Sequence, residues 1–244
     1  AVRLAQAFAD KDVVNCRAIG EHGAPLIPEG ARILTHCNAG WLAFVDVGSA
    51  TAPIYTAHDA GRSLTVYCDE TRPRLQGASL TAWELAQAGV PHHIIADNGA
   101  GWLMRRGEID LVIVGSDRVL GRTGEVANKI GTYTKAVLAA RHNIPFYVAI
   151  PLSTLDWDLE SGFDIPIEER SQTEVTHLTG VDEQGASHCV RVANPGSPAL
   201  NYGFDVTPAS LVTGIITPLG VLSPQELWTR RAELGGPVDG HTGS

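Results

Sequence analysis

Two short apolar runs in this chain each end in a side chain able to move a proton. Leu111-Val112-Ile113-Val114-Gly115 is followed almost at once by Asp117, and Ile33-Leu34-Thr35 by His36-Cys37. Short, β-branched runs of this kind read as buried parallel strands. A carboxyl and a thiol placed just beyond such strands lie where open α/β sheets hold their ligands, the plain alternatives being that Asp117 caps a turn and that Cys37 is a buried structural cysteine. If a helix starts directly after Cys37, its dipole and free N–H groups favour the thiolate. His36 reads as a satisfied core histidine and is assigned no chemistry. Beyond Asp117, Asn128 and Lys129 precede Gly131 and an alanine-rich helix over 134–141. An ammonium beside unpaired N–H groups at a helix start suits a phosphate. A third loop, Asp69-Glu70-Thr71-Arg72-Pro73-Arg74-Leu75-Gln76-Gly77, follows the strand predicted at 64–67 and is dense in groups that bind hydroxyls and phosphate.

The elements that must position these residues repeat with a period of about 30 residues over 31–151, strand then helix, the signature of right-handed βαβ units. The expected fold is α/β, a Rossmann-like, doubly wound, mostly parallel sheet flanked by helices. A helical lead-in over 1–30 is expected, broken at Gly20-Glu21-His22-Gly23, then a catalytic domain over 31–234 and a flexible Gly-rich tail over 235–244. The small, apolar stretch 41–60 reads as one buried helix, and 78–88 as another. Residues 153–170 are acidic and read as a loop over the sheet edge. One or two strands are expected within 174–193. Asp205-Val206-Thr207-Pro208 has the form of a capped helix start leading through 211–216, and Ser223-Pro224 caps a last helix ending near 234.

Composition sets limits on function. Of 244 residues, 44% are hydrophobic and 18% charged, as in an ordinary globular protein. The net charge of −9 and the scattered lysines and arginines argue against a nucleic-acid surface. No apolar run approaches the roughly 18 residues of a membrane span. The four cysteines form no CxxC pair and nothing resembles a secretory signal, so free thiols in a cytoplasm are expected. His92 and His93, adjacent on a strand, point to opposite faces, and no other pair has metal-ligand spacing. The chain also lacks GxGxxG and GxxxxGK[ST]. No metal or other cofactor is expected.

Four motifs together carry a resemblance: Ile33 to Gly40, Asp69 to Gly77, Gly115-Ser116-Asp117-Arg118 with Ala127-Asn128-Lys129-Ile130-Gly131-Thr132-Tyr133, and Asp164-Ile165-Pro166-Ile167-Glu168-Glu169-Arg170. In this order they resemble the methylthioribose-1-phosphate isomerases. The broader family also holds the regulatory subunits of the translation factor eIF2B and ribose-1,5-bisphosphate isomerases. Phe204-Asp205-Val206-Thr207-Pro208 favours the methylthioribose branch. The resemblance implies that Cys37 and Asp117 are the catalytic pair and that Gln76, Asn128 and Lys129 bind the sugar phosphate. It also implies a homodimer that needs neither metal nor nucleotide. Two features depart from the family pattern. No Arg-Gly-Ala-Pro motif occurs, so the family's N-terminal helical domain is expected to be absent from this chain, with a separate N-terminal fragment of the same protein as a candidate partner. The loop Leu120-Gly121-Arg122-Thr123 is one residue longer than the common pattern, which leaves a 5-deoxy sugar phosphate open beside the 5-methylthio one. Ribose 1,5-bisphosphate would need a second basic cluster, for which Arg72, Arg74, Arg118 and Arg122 are the candidates, and a non-catalytic eIF2B-like subunit is the other alternative.

Overall fold

The structure is a computed structural model and describes residues 2–238. The chain opens with helix α1 (Val2–Gly23) and then alternates β1 (Ala31–Thr35), α2 (Ala52–Asp59), β2 (Leu64–Asp69), α3 (Ala82–Gln87), β3 (His92–Ile95), α4 (Gly99–Arg105) and β4 (Leu111–Val114). Two short strands follow, β5 (Arg118–Leu120) and β6 (Val126–Lys129), then α5 (Thr132–Arg141), β7 (Phe146–Ala149) and β8 (Leu155–Asp156). After the one-turn helix α6 (Thr173–Thr176) come β9 (His177–Val181), β10 (Ser187–Arg191), β11 (Phe204–Thr207), β12 (Gly214–Thr217), β13 (Gly220–Leu222) and α7 (Pro224–Thr229).

The main sheet has the order β13-β12-β7-β4-β1-β2-β3, parallel except for the edge strand β13. Side chains alternate across a strand, and here both faces are covered. Ile33, Val66, Leu111 and Ile113 pack with Ile19 of α1, Ile54 of α2 and Leu85 of α3. Leu34, Val112, Val114 and Phe146 pack on the opposite side with Met104 of α4, Ala136 of α5 and Leu227 of α7. A strand buried on both faces can be apolar throughout, which is why Leu111–Val114 carries no polar residue. The α/β architecture with a mostly parallel sheet is therefore as the sequence predicts. A second sheet, β11-β6-β5-β8, stands beyond the carboxyl end of β4, and β9 and β10 form a separate hairpin. No helix among the described residues is long and apolar enough to cross a membrane.

Four local expectations need correction. Helix α1 runs unbroken through Gly20 and Gly23. These glycines are sites of close approach rather than breaks, since a Cβ at Gly20 would collide with Thr56 on α2. The stretch 41–60 is not one helix. It has a single 3₁₀ turn at Trp41–Ala43, then irregular chain, then α2. Residues 205–216 form β11, a 3₁₀ turn and β12, so Asp205 does not cap a helix that follows it. The acidic stretch after 153 contributes β8, where Asp156 accepts a hydrogen bond from Arg118 Nη1 at 2.8 Å. The capping box at Ser223 and Glu226 is present, though α7 ends at Thr229. Of the expected flexible tail, 239–244 lie outside the described residues.

The segment joining β2 to α3 is tight enough to yield a stability test. A Cβ on Gly77 would fall inside contact distance of the Asp69 carbonyl oxygen, which is backbone and cannot rotate away. Gly77→Ala is expected to destabilise the protein by about 1–3 kcal/mol, the usual range for overpacking, read as a lower urea midpoint at unchanged slope. An unchanged midpoint would mean that this turn yields freely.

Candidate active site

The crevice that holds the predicted residues follows from the winding. From β1 the chain adds β2 and β3 on one side, returns through α4 to place β4 on the other side of β1, then adds β7 and β12 outward. The direction of winding thus reverses between β1 and β4, and a crevice opens at the carboxyl ends of those two strands. Cys37 leaves the end of β1 and Asp117 the end of β4. They line one cavity of about 400 Å³ together with Gln76, Asn128 and Lys129. All five residues singled out in the sequence therefore meet in one place. Leu42, Phe44, Leu80 and Phe204 form its apolar walls, and of these only Phe204 stands in a motif quoted above.

The small second sheet brings Asp117 to Asn128. Asp117 N donates to Ala127 O at 3.0 Å, and β5 pairs with β6 in antiparallel register. The Asp117 side chain is reached by solvent through the cavity. The protein crowded around it still pushes its carboxyl above the usual carboxylate range, and the Lys129 ammonium opposes that push. A ligand filling the cavity would displace the water and strengthen the upward shift.

Cys37 is half-buried, and its backbone has φ 66°, the left-handed region. For a residue with a Cβ this conformation costs roughly 1–2 kcal/mol, and strain of this kind gathers at functional sites. Burial pushes its thiol above the ordinary value, a hydrogen bond from Asn38 N and the charge of Lys129 pull it down, and the Asp117 carboxylate pushes it up again. The expected helix start directly after Cys37 does not exist, because residues 38–40 are irregular. The helix-dipole argument for a thiolate falls with it, and the thiol form is favoured instead.

Lys129 is 8% exposed, and its Nζ donates to Gly203 O at 3.2 Å while lying 4.6 Å from the centre of the Phe204 ring. Among the described residues no carboxylate lies within ion-pair distance of it. An ammonium has three donors, so this buried cation faces the cavity with hydrogen-bonding capacity to spare. Gln76 Oε1 is buried and has no hydrogen-bond partner. Asn128 Nδ2 donates to Thr132 Oγ1 at 2.9 Å, which fixes its amide.

The start of α5 differs from expectation. Two N–H groups at this helix start are not open to a phosphate, because Asp205 takes them: Gly131 N donates to Oδ2 at 2.7 Å and Tyr133 N to Oδ1 at 3.0 Å. The β6–β11 pairing sets Asp205 opposite Asn128 and so delivers this cap from 74 and 72 residues away along the chain. Positive charge at the cavity therefore comes from Lys129 rather than from the helix terminus. Of the four candidate arginines only Arg74 adds to it, at a distance, its charge helping to pull the Cys37 thiol down. Arg118 pairs with Asp156, Arg122 stacks on Trp228, Arg74 approaches Glu174 and Arg72 binds Val175 O, and none of them lines the cavity.

Beneath the cavity lies a cluster that the sequence reading passed over. His36 Nδ1 is 2.9 Å from Asp69 Oδ2, and His36 Nε2 is 2.8 Å from Ile130 O. Both ring nitrogens have a partner within hydrogen-bond distance, so the ring is a satisfied core histidine, as expected. Lys135 Nζ lies 3.1 Å from the same Asp69 oxygen. Donor atoms from His36, Asp69 and Asp97, one from each, lie within 4.8 Å of one another, a grouping that could hold a cation. Lys135 already supplies positive charge to Asp69, and Asp97 is engaged by Thr71 N and Arg72 N. The donor set is therefore committed to the protein's own groups and fits a metal poorly.

Comparison with known proteins agrees with this geometry. Methylthioribose-1-phosphate isomerase of Methylorubrum extorquens is 59% identical over 230 residues, covering 91% of this chain and 63% of that protein. The protein of the same name from Rhodospirillum centenum is 56% identical over 231 residues. This chain thus spans a little under two thirds of the length of these relatives. The crystal structure of 5-methylthioribose 1-phosphate isomerase from Pyrococcus horikoshii OT3 superposes with a TM-score of 0.85 at 45% identity, covering 96% of this chain and 62% of that one. The delta subunit of translation initiation factor eIF-2B from A. fulgidus superposes with a TM-score of 0.84 at 40% identity, covering 96% and 65%. The model of the Initiation factor 2 subunit family matches residues 1–224, and on that match this chain belongs to the Initiation factor 2 subunit family.

Proposed function

We propose that this protein is an aldose–ketose isomerase that converts 5-methylthioribose 1-phosphate to 5-methylthioribulose 1-phosphate, a step of methionine salvage. The observation that carries the reading is the meeting of Cys37 and Asp117 at the reversal of winding, over a cavity whose one lysine is Lys129. A sugar whose anomeric carbon carries phosphate cannot open as a free hemiacetal does, so an acid must protonate the ring oxygen as its bond to C1 breaks. Asp117, with its carboxyl pushed upward, is suited to that proton transfer. Hydrogen then moves from C2 to C1. In a proton route Cys37 takes and returns it, and in a hydride route Cys37 and Asp117 handle the hydroxyl protons. Solvent deuterium reaches C1 only in the first. The apolar walls support water exclusion around either intermediate.

Lys129 and Asn128 are assigned to the phosphate and Gln76, whose Oε1 lacks a partner, to a sugar hydroxyl. The commitment of Arg72, Arg74, Arg118 and Arg122 elsewhere favours an uncharged 5-substituent over a second phosphate. The reading extends to a homodimer working in the cytoplasm, in keeping with its four free cysteines.

The test is an isomerisation assay of the full-length gene product with 5-methylthioribose 1-phosphate, 5-deoxyribose 1-phosphate and ribose 1,5-bisphosphate at equal concentration, with detection of the ketose. Turnover is expected, fastest with the methylthio sugar. Binding without turnover of any of the three would replace this reading with a regulatory, eIF2B-like one.

A further inference from the structure

We propose that Thr71 and Thr81 are positioning residues that clamp Cys37 from both sides of its peptide unit and hold its sulfur in the reacting position. This assignment rests on the isomerase reading above. Left-handed backbone is disfavoured at Cys37 on intrinsic preference, since its Cβ opposes φ 66° and no helix or strand ladder includes it. A conformation of this kind persists only where the surroundings over-determine it. Two hydroxyls do so here. Cys37 N donates to Thr71 Oγ1 at 2.8 Å, and Thr81 Oγ1 donates to Cys37 O at 2.7 Å.

Neither hydroxyl is free to turn away. Thr71 Oγ1 donates its own proton to Asp69 O at 3.0 Å, and Thr71 N is fixed by Asp97 Oδ1 at 2.8 Å. Thr81 Oγ1 accepts from Asn38 Nδ2 at 3.1 Å, and that amide also donates to Glu84 Oε1 at 2.9 Å. Glu84 is fully buried and accepts further bonds from Trp41 N, Leu42 N and the Tyr55 hydroxyl, so the loop after Cys37 is tied to the same anchor. Thr71 and Thr81 are 0% and 1% exposed. Thr81 closes the π-helical turn Gly77–Thr81, an arrangement that recurs at functional sites because its extra residue re-aims a side chain. The clamp thus reaches Cys37 from the β2–α3 segment, with one threonine on each side of Gly77.

Valine at either threonine keeps the β-branched shape and removes the hydroxyl, whereas serine keeps the hydroxyl. In the full-length gene product, Thr71→Val and Thr81→Val are expected to lower kcat by about 100-fold, the scale of a small misplacement of a reacting group, with KM little changed. Thr71→Ser and Thr81→Ser should stay close to the wild-type rate. The pH profile of Cys37 alkylation by iodoacetamide, followed on its peptide, should change in the valine variants and not in the serine ones. That measurement needs no substrate, so it decides the clamp even if no sugar phosphate is turned over. Valine variants with wild-type kcat and alkylation would overturn the proposal, as would serine variants as impaired as the valine ones. If the valine variants fail to fold, Cys37→Gly and Cys37→Ala decide. Glycine adopts φ 66° without a Cβ to strain, so the glycine variant should match or exceed the alanine one in urea midpoint. A clearly more stable alanine variant would show that no strained conformation is being held.

Discussion

Asp117→Asn should leave the protein folded and its affinity for the sugar phosphate near the wild-type value while lowering kcat by about 10³- to 10⁴-fold, the upper part of the range for loss of a general acid. The amide has the size of the carboxyl and keeps its backbone bond from Asp117 N to Ala127 O. It carries no proton that the ring oxygen can take. Stability supplies an independent sign. The carboxyl's folded-state value lies above 3.8, raised by the surrounding protein. Its ionised form therefore costs the folded state stability once the pH passes that value, and below the unfolded value the cost vanishes. Asparagine never ionises, so at pH 8 the variant should melt no lower than the wild type, and any gain should disappear on acidification through the carboxylate range. The effect is small because solvent reaches this side chain. A variant with near-wild-type kcat would remove Asp117 from the mechanism. A variant that melts well below the wild type at pH 8 would mean that the carboxylate holds the loop together instead.

The parts of this site that were legible in the sequence are those carried by strands. Leu111–Val114 is buried on both faces, so its apolar character marks the strand and, by position, the acid beyond it. The same holds for Ile33, Leu34 and the thiol at Cys37. What the sequence concealed depends on contacts between distant segments. The stretch 41–60 has the small, apolar composition of a buried helix, yet it forms no single helix, and Glu84 of α3 takes up Trp41 N and Leu42 N at its start. Asp205 before Thr-Pro has the form of a local cap, yet antiparallel pairing of β11 with β6 spends it on α5. Thr71 was quoted as part of a polar loop and Thr81 lay inside a predicted helix. Their role becomes visible only when β2 and α3 are packed beside β1. His36, Asp69 and Lys135 are likewise 33 and 66 residues apart along the chain and meet only through the parallel order of the sheet.

Lys129→Met should raise KM by about 10- to 100-fold, because a hydrogen bond to a charged group contributes roughly 1.5–3 kcal/mol. Methionine fills a similar volume against the Phe204 ring, so the cavity wall is preserved and the lost element is the charge. Charge-assisted contact with the phosphate acts in ground and transition states alike, and kcat at the optimum pH should change far less than KM. The same substitution has a second consequence with a fixed sign. Lys129 lowers the proton affinity of both Cys37 and Asp117. Without it the ionised form of each loses a stabilising neighbour, and both groups titrate at higher pH. The fall in kcat/KM that accompanies ionisation of Asp117 should therefore move toward alkaline pH, and the alkylation profile of Cys37 should move in the same direction. Simple loss of packing would not shift two titrations together. An unchanged KM would place the phosphate elsewhere in the cavity. A profile displaced toward acid would mean that some other cation dominates the field felt by the thiol and the carboxyl.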